Sequence, residues 1–126
     1  MHVARPIIPV GLTPKDRSWP LQSRFALVDS VSDWCLFHED IGVRLGIDVH
    51  RGEPRGFLGV EQVPMTAHFH DVGLMVGDVR VTIRAGFVTG LRFPYGILGQ
   101  AGFFDRFVVT MSSAPPRPYI EVLTRH

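Results

Sequence analysis

Residues 25–33 hold the side chains best suited to acid-base chemistry. They read Phe-Ala-Leu-Val-Asp-Ser-Val-Ser-Asp, so an apolar run leads directly into Asp29 and small hydroxyl residues follow it. A carboxylate in such a place is a candidate general acid or base. On this stretch alone a turn residue closing a strand is the commoner explanation of Asp29, because Asp-Ser is a frequent turn pair.

A second segment, about seventy residues later in the sequence, changes that balance. Residues 97–107 read Ile-Leu-Gly-Gln-Ala-Gly-Phe-Phe-Asp-Arg-Phe. Together the two segments resemble the retropepsin family of aspartic proteases, and its bacterial members in particular. In that family Asp-Thr/Ser-Gly ends a strand, and a later apolar-apolar-Gly turn passes beside it. The resemblance covers roughly residues 6–123 and includes Leu45-Gly46-Ile47, which is similar to the family's Leu-Gly-Leu.

The resemblance implies a role for each residue of the two segments. Asp29 is the implied catalytic aspartate, and each protomer of a homodimer contributes one. Two carboxylates in contact share one proton, so one can activate water while the other polarises the scissile carbonyl. Ser30 matches the hydroxyl residue that locks the active-site loops across the two-fold axis. The supporting turn is implied to consist of Ile97, Leu98 and Gly99.

Three further positions bear on substrate binding and activity. Asp33 matches an acidic residue that contacts the substrate backbone in retroviral members, although a surface turn aspartate is an equal alternative. Trp34 stands where those members carry a second acid, which predicts a more apolar subsite. Val31 departs from the pattern, because the family places glycine there. A valine brings a branched side chain close to substrate and partner, and overpacking of this kind costs roughly 1–3 kcal/mol.

The region 55–60 corresponds to the mobile hairpin flap that covers the cleft in the family. Its candidate substrate contacts are Gly56, Phe57, Leu58 and Gly59, and two glycines three residues apart suit a tip that must bend. A plain loop with turn glycines is the alternative.

The elements that would position these residues are mostly short strands. Apolar runs rich in Val, Ile and Phe recur between Gly, Pro and Asp, which predicts a mostly β chain. The family resemblance implies that these strands form an all-β, closed barrel-like fold of acid-protease type. The predicted strands are 7–12, 24–29, 62–69, 72–76, 79–85, 107–111 and 119–123, and Gly77-Asp78 predicts a tight hairpin turn. Short helices are predicted over 39–45 and 101–104. Residues 112–118, rich in proline, predict a loop inside a single domain spanning 1–126.

Composition limits the other classes of function. A net charge of +1 without a dense basic block argues against nucleic-acid binding, and no apolar run reaches the length of a membrane span. The single cysteine, Cys35, favours a reducing, cytoplasmic location and a core position. His68 and His70 alternate along a strand as metal ligands could, but two solvent-facing residues are the preferred interpretation. We expect no cofactor and no metal.

Two functions therefore follow from the sequence. The first is a homodimeric aspartic endopeptidase that acts on a peptide or protein substrate through Asp29. The second is a catalytically silent dimer of the same fold that binds peptides or serves assembly, because Val31 blocks the chemistry. Val31 is the residue that separates the two.

Overall fold

The chain forms an all-β structure with one short helix, which confirms the predicted fold class. The computed structural model describes residues 6–92, 94–112 and 119–125. Within these ranges nine strands occur. In chain order they are β1 Ile7–Pro14, β2 Gln22–Val28, β3 Cys35–His38, β4 Glu53–Leu58, β5 Pro64–Val76, β6 Val79–Val88, β7 Gly96–Leu98, β8 Phe107–Ser112 and β9 Tyr119–Thr124. The helix α1 is Glu39–Arg44, and a 3₁₀ turn follows at Val49–Arg51.

Six strands close into a barrel. Their order is β1, β2, β7, β3, β6 and β5, and β5 pairs back with β1 through Leu12 opposite Leu74. Closure removes the free edges that an open sheet would expose. One short strand, β7, lies between β2 and β3 and is parallel to β2. The strands that carry the two candidate segments are therefore direct neighbours.

Two hairpins extend beyond the barrel. Among the described strands β4 pairs with β5 alone, so these two strands project as a hairpin whose last pair is Leu58 opposite Pro64. The second hairpin consists of β8 and β9, which form a separate two-stranded sheet. Among the described residues neither edge of that small sheet pairs with the barrel.

Burial along each strand explains why some strands show a clear alternation of apolar and polar residues in the sequence and others do not. Residues on β6 alternate between exposed and buried up to Ala85, as expected for a strand with one face toward solvent. Most residues of β3 and all three of β7 are buried, because both strands lie in the middle of the sheet. The core contains large side chains with no exposure, including Phe37, Phe87 and Phe103.

Several predicted boundaries were wrong for identifiable reasons. The predicted strands 62–69 and 72–76 are one strand, β5, because its pairing with β6 continues without a break through His70 and Asp71. Pairing with β3 extends β6 to Val88, beyond the predicted end at residue 85. Strands β3, β4 and β7 were not predicted, since they are short and do not alternate over enough residues to be recognised.

The predicted helix over 101–104 is absent, and turns occupy that segment instead. Gly102 has a φ of 105°, which no right-handed helix can contain. Its N–H donates to the Asp105 carboxylate at 3.1 Å, so the turn is closed locally by a side chain. The predicted helix over 39–45 is confirmed as α1, which ends one residue earlier. The predicted loop 112–118 lies mostly outside the described residues.

Among the described residues, no helix is long and apolar enough to cross a membrane.

The buried interior of the barrel predicts a large difference between matched valine substitutions. Val72 on β5 has no exposed surface, whereas the Val43 side chain on α1 is 61% exposed. We expect Val72→Ala to lower the free energy of unfolding by about 2–3 kcal/mol, because it removes buried methyl groups and leaves a cavity. Val43→Ala should change it by less than about 0.5 kcal/mol. Urea unfolding at one fixed protein concentration measures both, and equal losses would contradict the assigned burial.

Candidate active site

Asp29 is the first residue after β2. Its backbone N–H donates to the Leu98 carbonyl at 2.9 Å, which continues the parallel pairing of β2 with β7 by one further bond. The strand thus ends one residue earlier than predicted, and Asp29 begins the loop. Its side chain is half-buried.

The loop after Asp29 keeps a backbone N–H directed at the carboxylate. The Val31 N–H donates to Asp29 Oδ1 at 3.0 Å. Among the described non-glycine residues, only Glu61 and Gln62 have positive φ, so Val31 carries no left-handed strain. The Val31 side chain is 88% exposed, so in a single chain it meets no crowding. Compared with the family's glycine, the valine therefore changes the exposed surface of the loop and not its backbone.

Gly99 is required because two loop carbonyls approach its backbone closely. A Cβ built at this position would overlap the Trp34 carbonyl and lie 2.6 Å from the Ser32 carbonyl. The next two residues bind the same loop, since the Gln100 N–H donates to Ser32 O and the Ala101 N–H to Asp33 O, both at 2.9 Å. The two candidate segments are thus held together by backbone contacts.

A cavity of about 780 Å³ opens beside Asp29. The β4–β5 hairpin forms one wall, to which Phe57, Leu58, Val63, Pro64 and Met65 contribute. The opposite wall belongs to the barrel and includes Leu36, Leu91 and Ile97. The size and the mainly apolar wall suit several residues of an extended ligand.

The hairpin beside this cavity has a strained tip and packs on Trp34, which follows the Asp29 loop. At the tip the Gly59 N–H donates to the Val63 carbonyl at 2.8 Å, and positive φ angles at Glu61 and Gln62 turn the chain. Trp34 contacts Phe69 at the base of the hairpin and Phe57 one residue before its last pair, both edge to face, with ring centroids 5.2 and 6.3 Å away. Such contacts stabilise by about 0.5–1.5 kcal/mol beyond their burial. The residues after Asp29 therefore hold the hairpin.

A polar network lies at the same cavity. Glu39 accepts hydrogen bonds from the Thr89 hydroxyl and from His50 Nε2, each at 2.6 Å. These bonds, that of Thr89 first, lower the pKa of the Glu39 carboxyl, so it stays ionised. The His50 ring lies 4.8 Å from that of His68, and His50, His68 and Thr89 all line the cavity.

Neither His68 nor His70 is fully solvent-facing, contrary to the preferred prediction. His68 lines the cavity, and His70 Nε2 lies 2.8 Å from the Val49 carbonyl. No group of three or more metal-ligating side chains occurs within residues 6–92, 94–112 and 119–125. Cys35 is buried in the core as predicted, and burial raises the pKa of its thiol to about 12. A thiol in that state is a poor nucleophile.

The cavity collects some of the predicted site residues and leaves others outside it. Those that line it are Asp29, Ile97, Phe57, Leu58 and Gly59. Seven others do not line it: Ser30, Val31, Asp33, Trp34, Leu98, Gly99 and Gly56. Of these, the loop and turn residues hold or extend the Asp29 loop, Trp34 anchors the hairpin, and Gly56 faces a shallower hollow on the hairpin.

Several cavity residues were missed by sequence reasoning. They are Ser32, His50, His68, Thr89 and Arg92, from four separate parts of the chain. Spacing along the sequence could not bring these parts together, because strand pairing and the helical segment after β3 set their positions. Ser32 lay in a segment that had been singled out, and His68 had been considered only as a possible metal ligand.

Comparison with known proteins finds a likeness among solved structures. No protein-family model and no curated protein matches the chain. Among solved structures it is similar to a retropepsin-like aspartic protease from Rickettsia conorii, with a TM-score of 0.49 and 9% identity, over 100% of this chain and 99% of that one. Likeness at this level does not assign the chain to a family. The geometry of the chain itself carries the proposals that follow.

The close approach at Gly99 predicts that a single methyl group disrupts the site. We expect Gly99→Ala to lower the free energy of unfolding by about 1–3 kcal/mol, because backbone carbonyls must move to admit the Cβ. Gly56→Ala is the matched control, since the nearest atom to a Cβ there is the Met65 carbonyl oxygen at 3.8 Å. Chemical denaturation of both variants measures the difference. A stability of Gly99→Ala equal to that of Gly56→Ala would refute the packing described.

Proposed function

We propose that this chain is one protomer of a retropepsin-type aspartic endopeptidase. The observation that carries the proposal is the position of Asp29, which lies at a strand end beside a cavity walled by a hairpin, with the Val31 N–H directed at its carboxylate. The resemblance of the two sequence segments to that family supports it.

A second protomer completes the chemistry. Among the described residues that line the cavity, Asp29 is the only one with a carboxylate. Peptide hydrolysis by aspartates needs two, one ionised and one protonated, and two-fold symmetry supplies a second Asp29 from an identical chain. No cofactor enters this chemistry.

The reaction then follows from one shared proton. The ionised carboxylate removes a proton from water, and the water oxygen attacks the scissile carbonyl carbon. The protonated carboxyl of the partner's Asp29 donates to the carbonyl oxygen, which gives a tetrahedral diol. When the diol collapses, one of its hydroxyls returns a proton to the ionised carboxylate of the partner's Asp29. The C–N bond breaks, and the nitrogen leaves with the proton that the first Asp29 took from water. The dyad ends with one proton again.

The cavity favours peptides with apolar side chains near the cleaved bond. Its hairpin wall and its barrel wall are both mainly apolar, and burial of such side chains supplies about 25 cal/mol for each Å² removed from water. Opening of the β4–β5 hairpin would admit the peptide, and closure would exclude bulk water.

Two features support the homodimer. The edges of the β8–β9 sheet have no strand partner among the described residues, and two-stranded sheets are marginal alone. Val108 and Leu123 are cross-strand partners there and remain partly exposed. Pairing of this sheet with its copy would cover them. The Ser30 hydroxyl would then bond to the partner's loop, as the family resemblance implies.

The alternative is a catalytically silent dimer of the same fold that binds peptides. Its specific support is the 88% exposure of Val31, because an exposed valine two residues after Asp29 would meet any partner or substrate that docks on this loop. The backbone at Val31 favours the active enzyme instead, since the Val31 N–H still donates to the Asp29 carboxylate despite the valine side chain.

The dimer proposal predicts sedimentation of a two-chain species at tens of micromolar. Leu123→Asp should raise the dissociation constant at least about tenfold, because it buries an unpaired charge in the interface. Val43 on α1 is an apolar residue of similar exposure, and Val43→Asp should leave the dissociation constant within about twofold of the parent's. Analytical ultracentrifugation distinguishes these results, and a parent chain that stays monomeric would remove the proposal.

The catalytic proposal predicts cleavage of an apolar peptide library at mildly acid pH, with activity abolished in Asp29→Asn. Val31→Gly should raise the rate about ten- to hundredfold if the valine crowds the transition state, as overpacking of 1–3 kcal/mol implies. Mass spectrometry of the products measures both. Activity that appears only in Val31→Gly supports the silent dimer, and a rate unchanged by Asp29→Asn would end the aspartic-protease proposal.

A further inference from the structure

One peptide group in the Asp29 loop is held at both ends. This group joins Ser30 to Val31, so its oxygen is Ser30 O and its N–H belongs to Val31. The side-chain amide of Gln100 donates to Ser30 O at 2.7 Å. The N–H at the other end of the same group donates to Asp29 Oδ1 at 3.0 Å. The three groups form a continuous chain of hydrogen bonds that ends on the carboxylate.

We propose that Gln100 is a positioning residue that acts on Asp29 through the peptide group between Ser30 and Val31. The inference rests on the proposed function, because it assigns the amide a part in that reaction. Gln100 does not line the cavity and therefore touches no reacting atom.

Two physical effects give Gln100 this influence. A peptide oxygen that accepts a hydrogen bond makes its own N–H a stronger donor, by cooperative polarisation. A stronger N–H donor favours the ionised carboxylate that accepts from it. The amide also fixes the plane of the peptide group, so that the N–H cannot rotate away from the carboxylate.

Gln100 is also well anchored itself. Its backbone N–H donates to Ser32 O at 2.9 Å, and its carbonyl accepts from the Asp105 N–H at 3.2 Å. Its main chain and its side chain thus bind two different carbonyls of the Asp29 loop. Gln100 is itself exposed, so its hydrogen-bonded main chain rather than burial fixes the position of the amide.

Other titratable and charged groups share the cavity or the loop with Asp29. His50 on the 3₁₀ turn, His68 on β5 and Arg92 after β6 line the cavity, and Asp33 belongs to the same loop. Asp105 lies in the turn that follows Gln100 and accepts from the Gly102 N–H. The partner's Asp29 completes the set in the dimer. Replacing Gln100 by a neutral residue alters none of these charges.

The test compares Gln100→Met, which keeps side-chain length and removes the donor, with Gln22→Met on β2 as the matched control. For Gln100→Met we expect kcat to fall about three- to tenfold, as loss of one net hydrogen bond implies, with KM within about twofold. The acid limb of the pH–rate profile should move up by about half a pH unit, because the ionised carboxylate loses support. Gln22→Met should match the parent.

A spectroscopic readout separates this inference from the proposed function. In the parent, the Val31 amide proton resonance should titrate with the Asp29 carboxylate, and in Gln100→Met this pH-dependent shift should fall by at least about half. Suppose that the parent cleaves peptides and that Gln100→Met leaves kcat, the acid limb of the pH–rate profile and the titration of the Val31 amide proton unchanged. That result overturns the inference about Gln100 and leaves the proposed function standing. No cleavage by the parent overturns the function, and the Val31 titration then decides the role of Gln100.

Discussion

The contact between the Asp29 loop and the Gly99 turn is the constraint on which the rest of the site depends. Backbone bonds from Asp29, Gln100 and Ala101 join the two segments. These bonds form only if the two segments approach each other more closely than a side chain at residue 99 would allow. Closure of the barrel makes that approach possible, because β7 must lie between β2 and β3 before the turn can reach the loop.

The hairpin over the cavity depends on the same loop in a second way. Trp34 follows the loop directly and packs on Phe57 of β4 and Phe69 of β5. The position of the hairpin is therefore coupled to the position of Asp29 through a few aromatic contacts. These contacts span the hairpin from Phe69 at its base to Phe57 beside its last pair, and beyond them the tip turns through two positive-φ residues.

The charges around the cavity are arranged to leave Asp29 unpaired. Glu39 is engaged by Thr89 and His50, and no described cation lies within ion-pair distance of Asp29. The carboxylate instead accepts a backbone N–H from Val31. A carboxylate paired with arginine would be a weaker base, so an Asp29 without such a partner among the described residues suits the proposed role.

The sequence by itself determined the all-β class and the helix after the Asp29 loop, and its resemblance to a known family implied the pairing of two segments around Asp29 and Gly99. The first two features rest on local patterns: apolar runs between turn residues, and acidic residues in a first helical turn. Tertiary structure alone decided the rest. His68, Thr89 and Arg92 reach one cavity through pairing between distant strands, and the Gln100 amide meets Ser30 O across 70 residues of sequence. Spacing cannot encode such contacts, because barrel closure sets them.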